Sequence, residues 1–284
     1  MKGLRAKREA LCQGRANDGA VEKGGEVDAD AVRVAAKRIA GQVHATPVET
    51  SATLDAKLGA TVAVKNEALQ KTGSFKVRGA LNRLLTLPRE EIDRGLVAIS
   101  AGNHAAALAW AAAEVGAKAT VVMPRHAPAA KVAACRDYGA EVVLYGDTTG
   151  EALAESERLR DERGLTFVHP FDDPEIVAGQ GTVALELVEA AGPLDLWVVP
   201  VGGGGLACGT ALAVRAANPD CRVIGVEPRG AQTLSAALEA GRPVPVVPRS
   251  VADGLCAPRA GVRTFPLFRE LVDEIGRASC RERV

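Results

Sequence analysis

Short runs rich in β-branched residues, TVAVKNE, LVAIS, ATVVMP, EVVLYG, TFVHP, LWVVPVG and RVIGVEP, recur along the chain. Most are separated by stretches with helical spacing, such as HAAALAWAAAEVG and KVAACRDYG. That alternation predicts βαβ units and a largely parallel sheet covered on both faces, hence a doubly wound α/β protein. Gly116, Gly139 and Gly164 stand where left-handed C-caps would end the intervening helices. Regular patterning begins with Val32, Ala35, Ala36 and Ile39. Residues 1–27 mix charge with glycine, show no sustained apolar period, and read as a disordered arm.

At 284 residues the chain has room for one large α/β domain or two small ones. Its 35 Lys and Arg balance 35 Asp and Glu, so no global basic field exists to hold a phosphate backbone or an anionic membrane. Aromatic residues make up 3% of the chain, too few to stack single-stranded bases. Nucleic acid and membrane are therefore not the expected partners. The six cysteines form no CxxC and no dense framework, which speaks against a zinc site or a disulfide scaffold and for a reducing, cytoplasmic setting. No run approaches the roughly 18 apolar residues of a membrane span, and a signal-peptide core is not seen.

Three motifs could carry chemistry. In VPVGGGGLACGTALAV an apolar strand runs into Gly202, Gly203, Gly204 and Gly205 and then into a helix. Residues without Cβ let successive amides converge on an anion at a helix N-terminus, a cradle suited to phosphate. Gly202, Gly204 and Ala207 also satisfy the dinucleotide fingerprint, with Glu227 at the end of the next strand as the ribose ligand, so a nicotinamide or flavin oxidoreductase is the rival reading. LVAISAGNHAAALAW repeats the strand, turn and helix layout, with Ser100, Gly102, Asn103 and His104 at the turn, and suits a second anion such as a carboxylate.

The third motif is KTGSFKVRG, with Lys76 just inside a helix N-terminus. The macrodipole disfavours a cation there and should lower the lysine pKa, readying the amine for covalent chemistry. A lysine able to lose its proton, a phosphate cradle without a Walker lysine and a carboxylate cradle together meet the needs of pyridoxal phosphate working on an amino acid.

KTGSFKVRG, SAGNHA and VPVGGGGL, in that order and at those spacings, resemble the fold-type-II pyridoxal-phosphate enzymes of the tryptophan synthase beta-like group, in particular the threonine/serine dehydratases (ammonia-lyases). The likeness runs from about residue 28 to residue 274. It implies two lobes of mostly parallel sheet. The large, discontinuous cofactor domain would comprise 28–90 and 161–274, and the small domain 91–160. It further implies that Lys76 carries pyridoxal 5'-phosphate as a Schiff base, with Phe75 beside the ring and Asn103 on the phenolic oxygen. Gly202 to Gly205 with Leu206 would hold the phosphate, and Ser100, Ala101, Gly102, Asn103 and His104 would receive the substrate carboxylate. The implied reaction is dehydration and deamination of threonine or serine, a small hydroxy amino acid, to a 2-oxo acid and ammonia, a step of amino-acid metabolism such as isoleucine biosynthesis.

The same resemblance sets alternatives. Serine racemases of this type resemble SSGNH and use the second serine to deliver a proton, whereas Ala101 has none to give. A threo-3-hydroxyaspartate dehydratase shares the fold. A divalent cation is implied at Glu227 and the carbonyl of Ala231, with Thr233 where some relatives have a carboxylate. Asp253 in VADG matches a position on the substrate side or serves as a turn residue. Similar enzymes are homo-oligomers. EIGRASCRERV breaks the pattern: residues 275–284 read as a non-native, adapter-derived tail on a truncated chain, lacking a further strand and the segment that contacts the pyridine nitrogen. An inactive fragment is the expectation from another class.

Overall fold

The computed structural model describes residues 27–279. The arm expected over residues 1–27 lies, apart from Val27, outside the described residues, as do residues 280–284. Helix α1 (Ala29–Ile39) starts where the Asp28 carboxylate accepts from the Ala31 amide, and it buries Val32, Ala35 and Ile39 at helical spacing. Strands β1 (Val48–Thr50) and β2 (Ala63–Lys65), joined through α2 (Ala52–Leu58), pair antiparallel in a ribbon of their own. The TVAVKNE run thus stands outside the parallel sheets. Its Val64 is exposed, so the run has no second apolar face to bury.

Helices α3 (Lys76–Leu84) and α4 (Arg89–Arg94) lead into the first sheet. Its strands β3 (Leu96–Ile99), β4 (Ala119–Met123), β5 (Glu141–Leu144) and β6 (Thr166–Phe167) run parallel in the order β5-β4-β3-β6. The crossovers are α5 (Asn103–Val115), α6 (Ala129–Asp137) and α7 (Thr149–Arg163). Strand alternation divides the apolar residues between two faces. Leu96, Ala98, Val121 and Met123 pack with the α3, α5 and α6 side chains, while Val97 and Val122 meet Ala152 and Leu159 of α7. The sheet continues past residue 160, where the small lobe was expected to end: α7 returns the chain beside β3, and the Thr166 amide donates to Gly95 O at 3.0 Å.

The second sheet contains β7 (Leu196–Pro200), β8 (Arg222–Pro228) and β9 (Glu274–Ala278), parallel and in that order. Between them run α9 (Gly205–Ala217), α10 (Thr233–Ala240) and α11 (Thr264–Leu271), with α8 (Pro174–Ala191) preceding the sheet. Trp197, Val199 and Val223 bury against α8, α9 and Phe268 of α11. Leu196 and Val198, on the other face, stay 48% and 55% exposed. Coverage on both faces therefore holds for the first sheet and fails for the described part of the second, whose helices gather on one side.

Residues 275–278, expected to stand outside the fold, are a strand: Ile224 to Pro228 pair residue for residue with Glu274 to Ala278. The open edge of β8 presents backbone groups that an extended segment of almost any composition can satisfy, and Ile275 packs on the core.

Three helices meet below the space between the sheets because glycines remove the side chains that would part them. A Cβ on Gly209 of α9 would sit 2.1 Å from Val177 O of α8, and one on Gly179 of α8 would sit 2.6 Å from the Gly79 Cα of α3. Arg78 secures this crossing. Fully buried, it donates to Glu67 (2.8 Å) and Glu186 (2.5 Å), and Lys65 pairs with Glu186 at 2.6 Å, tying α3 to α8 and to the ribbon.

Candidate active site

Lys76 owes its placement to the turn before it. Thr72 adopts φ 60 and Gly73 φ 72, successive left-handed residues that reverse the chain, and the Gly73 amide closes on Gln70 O at 2.8 Å. For Thr72 that conformation is strained, and its hydroxyl is buried without a partner. The chain emerges at Ser74, whose hydroxyl accepts from the Lys76 amide (3.4 Å), and Lys76 is the first residue of α3. Its ammonium donates to Pro170 O at 2.6 Å and lies 5.4 Å from the Phe75 ring centroid. Burial lowers the Lys76 pKa from 10.5 to about 8. The expected direction is found, and its cause is loss of hydration on burial.

Gly202 to Leu206 wall the same cleft as Phe75 and Lys76. Two of the glycines have distinct reasons to be there. A Cβ on Gly203 would lie 2.4 Å from the Phe171 ring, and Gly204 has φ 102, a conformation that side chains resist. Thr264 fixes the turn by donating its hydroxyl to Gly203 O at 2.7 Å. Gly205 is the first residue of α9, so the bend points open backbone amides and a helix N-terminus at one spot.

The start of α5 does not line that cleft but lies beside its rim, near Gly254. Ser100 Oγ accepts from the Gly102 amide at 3.1 Å, and no side chain caps the helix, which leaves its first amides free for an anion. Asn103 is exposed there. Its Nδ2 would lie 3.5 Å from a Cβ on Gly254, a residue that lines the Lys76 cleft, so the amide faces the second lobe. Ala101 packs its methyl against the core of the first sheet. His104 turns inward, its ring Nε2 donating to Val168 O at 3.0 Å, and burial, with Lys76 nearby, holds its pKa down to about 3. Its imidazole is therefore committed to Val168 O. These surroundings leave the imidazole neutral at working pH.

Glu227 has another task. Its carboxylate accepts from the Leu234 amide (2.6 Å), the Ser235 amide (3.2 Å) and the Ser235 hydroxyl (2.8 Å), completing the start of α10, and burial pushes its carboxyl up. Thr233 donates to Ala257 O at 2.7 Å. The divalent cation expected at Glu227 and the Ala231 carbonyl is thus not supported, because both Glu227 oxygens already accept from fixed donors at the start of α10. Among the described residues no group of three or more His, Cys, Asp or Glu is poised for a metal. The same bonds deny Glu227 the ribose contact of the dinucleotide reading.

The segment 168–173 escaped sequence reasoning and organises the cleft. Pro170 accepts from Lys76, and Phe171 fills the space under the glycine bend. His169 Nδ1 accepts from the Phe171 and Asp172 amides at 3.2 and 2.7 Å. Asp172 in turn receives the Val262, Arg263 and Thr264 amides at 2.8 to 2.9 Å. HPFDD carries no local signal of this role. Gln180, also unanticipated, lines the cleft from α8; its flanking helical glycines, costly at about 1 kcal/mol each relative to alanine, were the available clue.

Residues 39–282 match the family described as pyridoxal-phosphate dependent enzyme. Over 242 residues the chain is 47% identical to an L-threo-3-hydroxyaspartate ammonia-lyase of Pseudomonas sp, covering 85% of this chain and 76% of the relative. It is 44% identical to an L-threonine ammonia-lyase of Geobacter sulfurreducens, covering 86% of this chain and 61% of the relative. Among solved structures, maize serine racemase superposes with a TM-score of 0.86 at 39% identity, over 90% of this chain and 78% of that one. The serine racemase from Dictyostelium discoideum does so with 0.84 at 38% identity, over 89% and 81%. No helix among the described residues is long and apolar enough to cross a membrane.

Proposed function

The chain belongs to the family of pyridoxal-phosphate dependent enzymes, and from that premise we propose that it is an ammonia-lyase acting on small β-hydroxy α-amino acids, threonine and serine foremost. The observation that carries the reading is the Lys76 amine, made less basic by burial, in one cleft with the glycine bend. The residues present fit the cofactor. The bend offers amides to a phosphate at a place where Cβ atoms are excluded, and Gln180 Nε2 is a buried donor in the cleft without a partner.

When bound, pyridoxal phosphate supplies a conjugated sink for the electrons left at Cα as its proton departs. Lys76 is the residue that would hold the cofactor through its aldehyde, and its amine would be the base for the Cα proton. The amides from Gly102 to His104 hold the carboxylate, and Phe75, Pro170 and Leu255 narrow the cleft against water. Loss of the β-hydroxyl as water is followed by uptake of water on hydrolysis, so a hydroxy amino acid becomes a 2-oxo acid plus ammonia. Ala101 brings no transferable proton, which favours elimination over racemisation. The free thiols of Cys135, Cys208, Cys221 and Cys256 suit a reducing, cytoplasmic compartment.

The test is a visible spectrum after addition of pyridoxal phosphate, borohydride reduction with peptide mapping, and ammonia release from threonine, serine and threo-3-hydroxyaspartate. A reduced adduct on Lys76 with ammonia from at least one substrate is expected. An adduct elsewhere, or binding of a nicotinamide dinucleotide in its place, overturns the reading.

A further inference from the structure

Gln180 sits in α8 with 1% of its surface exposed, yet only one end of its carboxamide is used. Oε1 accepts from the Gly79 amide at 3.2 Å. Gly79 N–H is a donor, so this bond fixes which end of the amide is oxygen. Nε2 is therefore a buried donor, and no partner satisfies it. Leaving such a donor unmet is costly, and native proteins rarely do so without a functional reason.

The backbone is arranged to bring this amide in. A Cβ on Gly79 would come within 2.3 Å of Nε2 and 2.7 Å of the Gln180 carboxamide carbon, so the side chain reaches α3 only because position 79 is glycine. Gly79 is three residues after Lys76, and residues so spaced lie on one helix face. The carboxamide thus rests on the face of α3 that carries the lysine, and both residues line one cleft. In the present arrangement Lys76 donates to Pro170 O. A neutral amine has a lone pair to offer, which the ammonium lacks.

We infer that Gln180 is a positioning residue for Lys76: the Gln180 Nε2–H donates to the lone pair of the neutral amine and so holds it ready for covalent bonding and proton abstraction. The inference rests on the lyase reading for its purpose, and on geometry for its existence. A donor to the neutral form favours deprotonation. The other charged and titratable groups around Lys76 do not supply that bond. His104 of α5 and His169 of the 168–173 segment are kept neutral by burial and are engaged with Val168 O and with backbone amides. Asp172 and Asp173 hold amides. Arg78 and Arg83 on α3 are paired with Glu67, Glu186 and Asp173; Glu175 on α8 pairs with Arg38, and Asp253 with Lys131.

The test measures the neutral fraction of the amine without cofactor: the rate of Lys76 acetylation by acetic anhydride against pH, read by peptide mapping of the full chain. Gln180→Met removes the donor at similar volume, and Gln180→Leu removes it with a second uncharged side chain. Both should raise the Lys76 midpoint by roughly one pH unit, the shift expected for a lost hydrogen bond of ordinary strength. Lys65, buried on the same map, should label unchanged, which separates loss of the bond from general loosening. An unmoved midpoint in both variants overturns the inference. So does an unmoved midpoint accompanied by weaker binding of inorganic phosphate, which would give the amide to the anion. Failure of the wild-type chain to form an adduct with pyridoxal phosphate would count against the lyase reading alone.

Discussion

Lys131 on α6 and Asp253 in the 3-10 turn beside the lysine cleft form an ion pair across 122 residues of sequence. Among the described residues it is the only ion pair or hydrogen bond joining residues 96–167 to residues 196–279. The first sheet and its helices, with the uncapped start of α5, are thus clasped to the part of the chain that carries the glycine bend.

The side chains of that pair are 31% and 68% exposed, so it contributes about 0–1 kcal/mol and can open and close readily. Lys131→Met or Asp253→Asn should leave the melting temperature nearly unchanged and raise KM for the amino acid several-fold, with a smaller change in kcat. The dependence of KM on salt should flatten, and the exchange Lys131→Asp with Asp253→Lys should recover part of the loss. Lys131 holds the Asp253 carboxyl below its ordinary pKa, so the pair's contribution is complete at neutral pH and is lost only as pH falls through that lowered value. Steady-state kinetics in a salt series decides; equal KM in variants and wild type refutes the clasp.

Lys76 should cost stability where it supplies reactivity. Its folded pKa of about 8 lies below the ordinary 10.5, so at neutral pH both states are protonated and the fold carries the full penalty of a buried ammonium. Lys76→Met should stabilise the chain without cofactor by at most about 3 kcal/mol, at about 1.4 kcal/mol per pKa unit. Part of the side chain remains open to the cleft, which reduces the gain. Between about 8 and 10.5 the folded lysine sheds its proton before the unfolded one does, so the advantage of the variant shrinks as pH rises. Urea unfolding at several pH values tests this, and the visible band should be absent in the variant at every pH.

Gly203→Ala would drive a methyl into the Phe171 ring, where the nearest atoms stand 2.4 to 2.5 Å from the new Cβ. Overpacking of this kind costs about 1–3 kcal/mol. The displaced bend should also weaken inorganic phosphate and pyridoxal phosphate together, by roughly tenfold or more, about 1.4 kcal/mol. Adding Phe171→Ala should return part of the lost stability, a coupling that a double-mutant cycle measures. Additive effects would show that ring and bend do not bear on each other.

What was legible in the sequence was local. The glycine bend is a backbone property, readable from its own residues, and the flanks of Lys76 announce a turn into a helix. Phe171, Thr264 and Gln180 were not legible because each acts on a partner about 30 to 100 residues away, at Gly203 or Gly79. Glu227 stayed ambiguous since an acidic residue at a strand end looks alike whether it meets a ribose, a cation or the amides of the next helix. Strand β9 went unseen because parallel pairing draws on the backbone of Glu274 to Ala278, and their side chains carry little of the usual pattern.

Arg78 bears on Lys76 through the helix they share. Buried outright, it satisfies Glu67 and Glu186 and also donates to Thr182 Oγ1 and His44 O, both at 3.2 Å. Replacing it with methionine leaves Glu67 without its guanidinium and Glu186 with Lys65 alone, and removing one partner of a buried pair costs about 3–5 kcal/mol. Glu186 is depressed because its bonds to Arg78 and Lys65 outweigh the burial that would raise it. In wild type that stabilisation is present above the unfolded carboxyl pKa and disappears as pH falls through the lower folded value. Arg78→Met should therefore melt well below wild type at pH 7, with the gap narrowing in acid, as calorimetry would show. Arg78→Lys should recover little, since one ammonium cannot bridge two carboxylates as the guanidinium fork does. A variant that melts like wild type at neutral pH would mean that the glycine contacts alone hold α3 on α8 and keep Lys76 in its cleft.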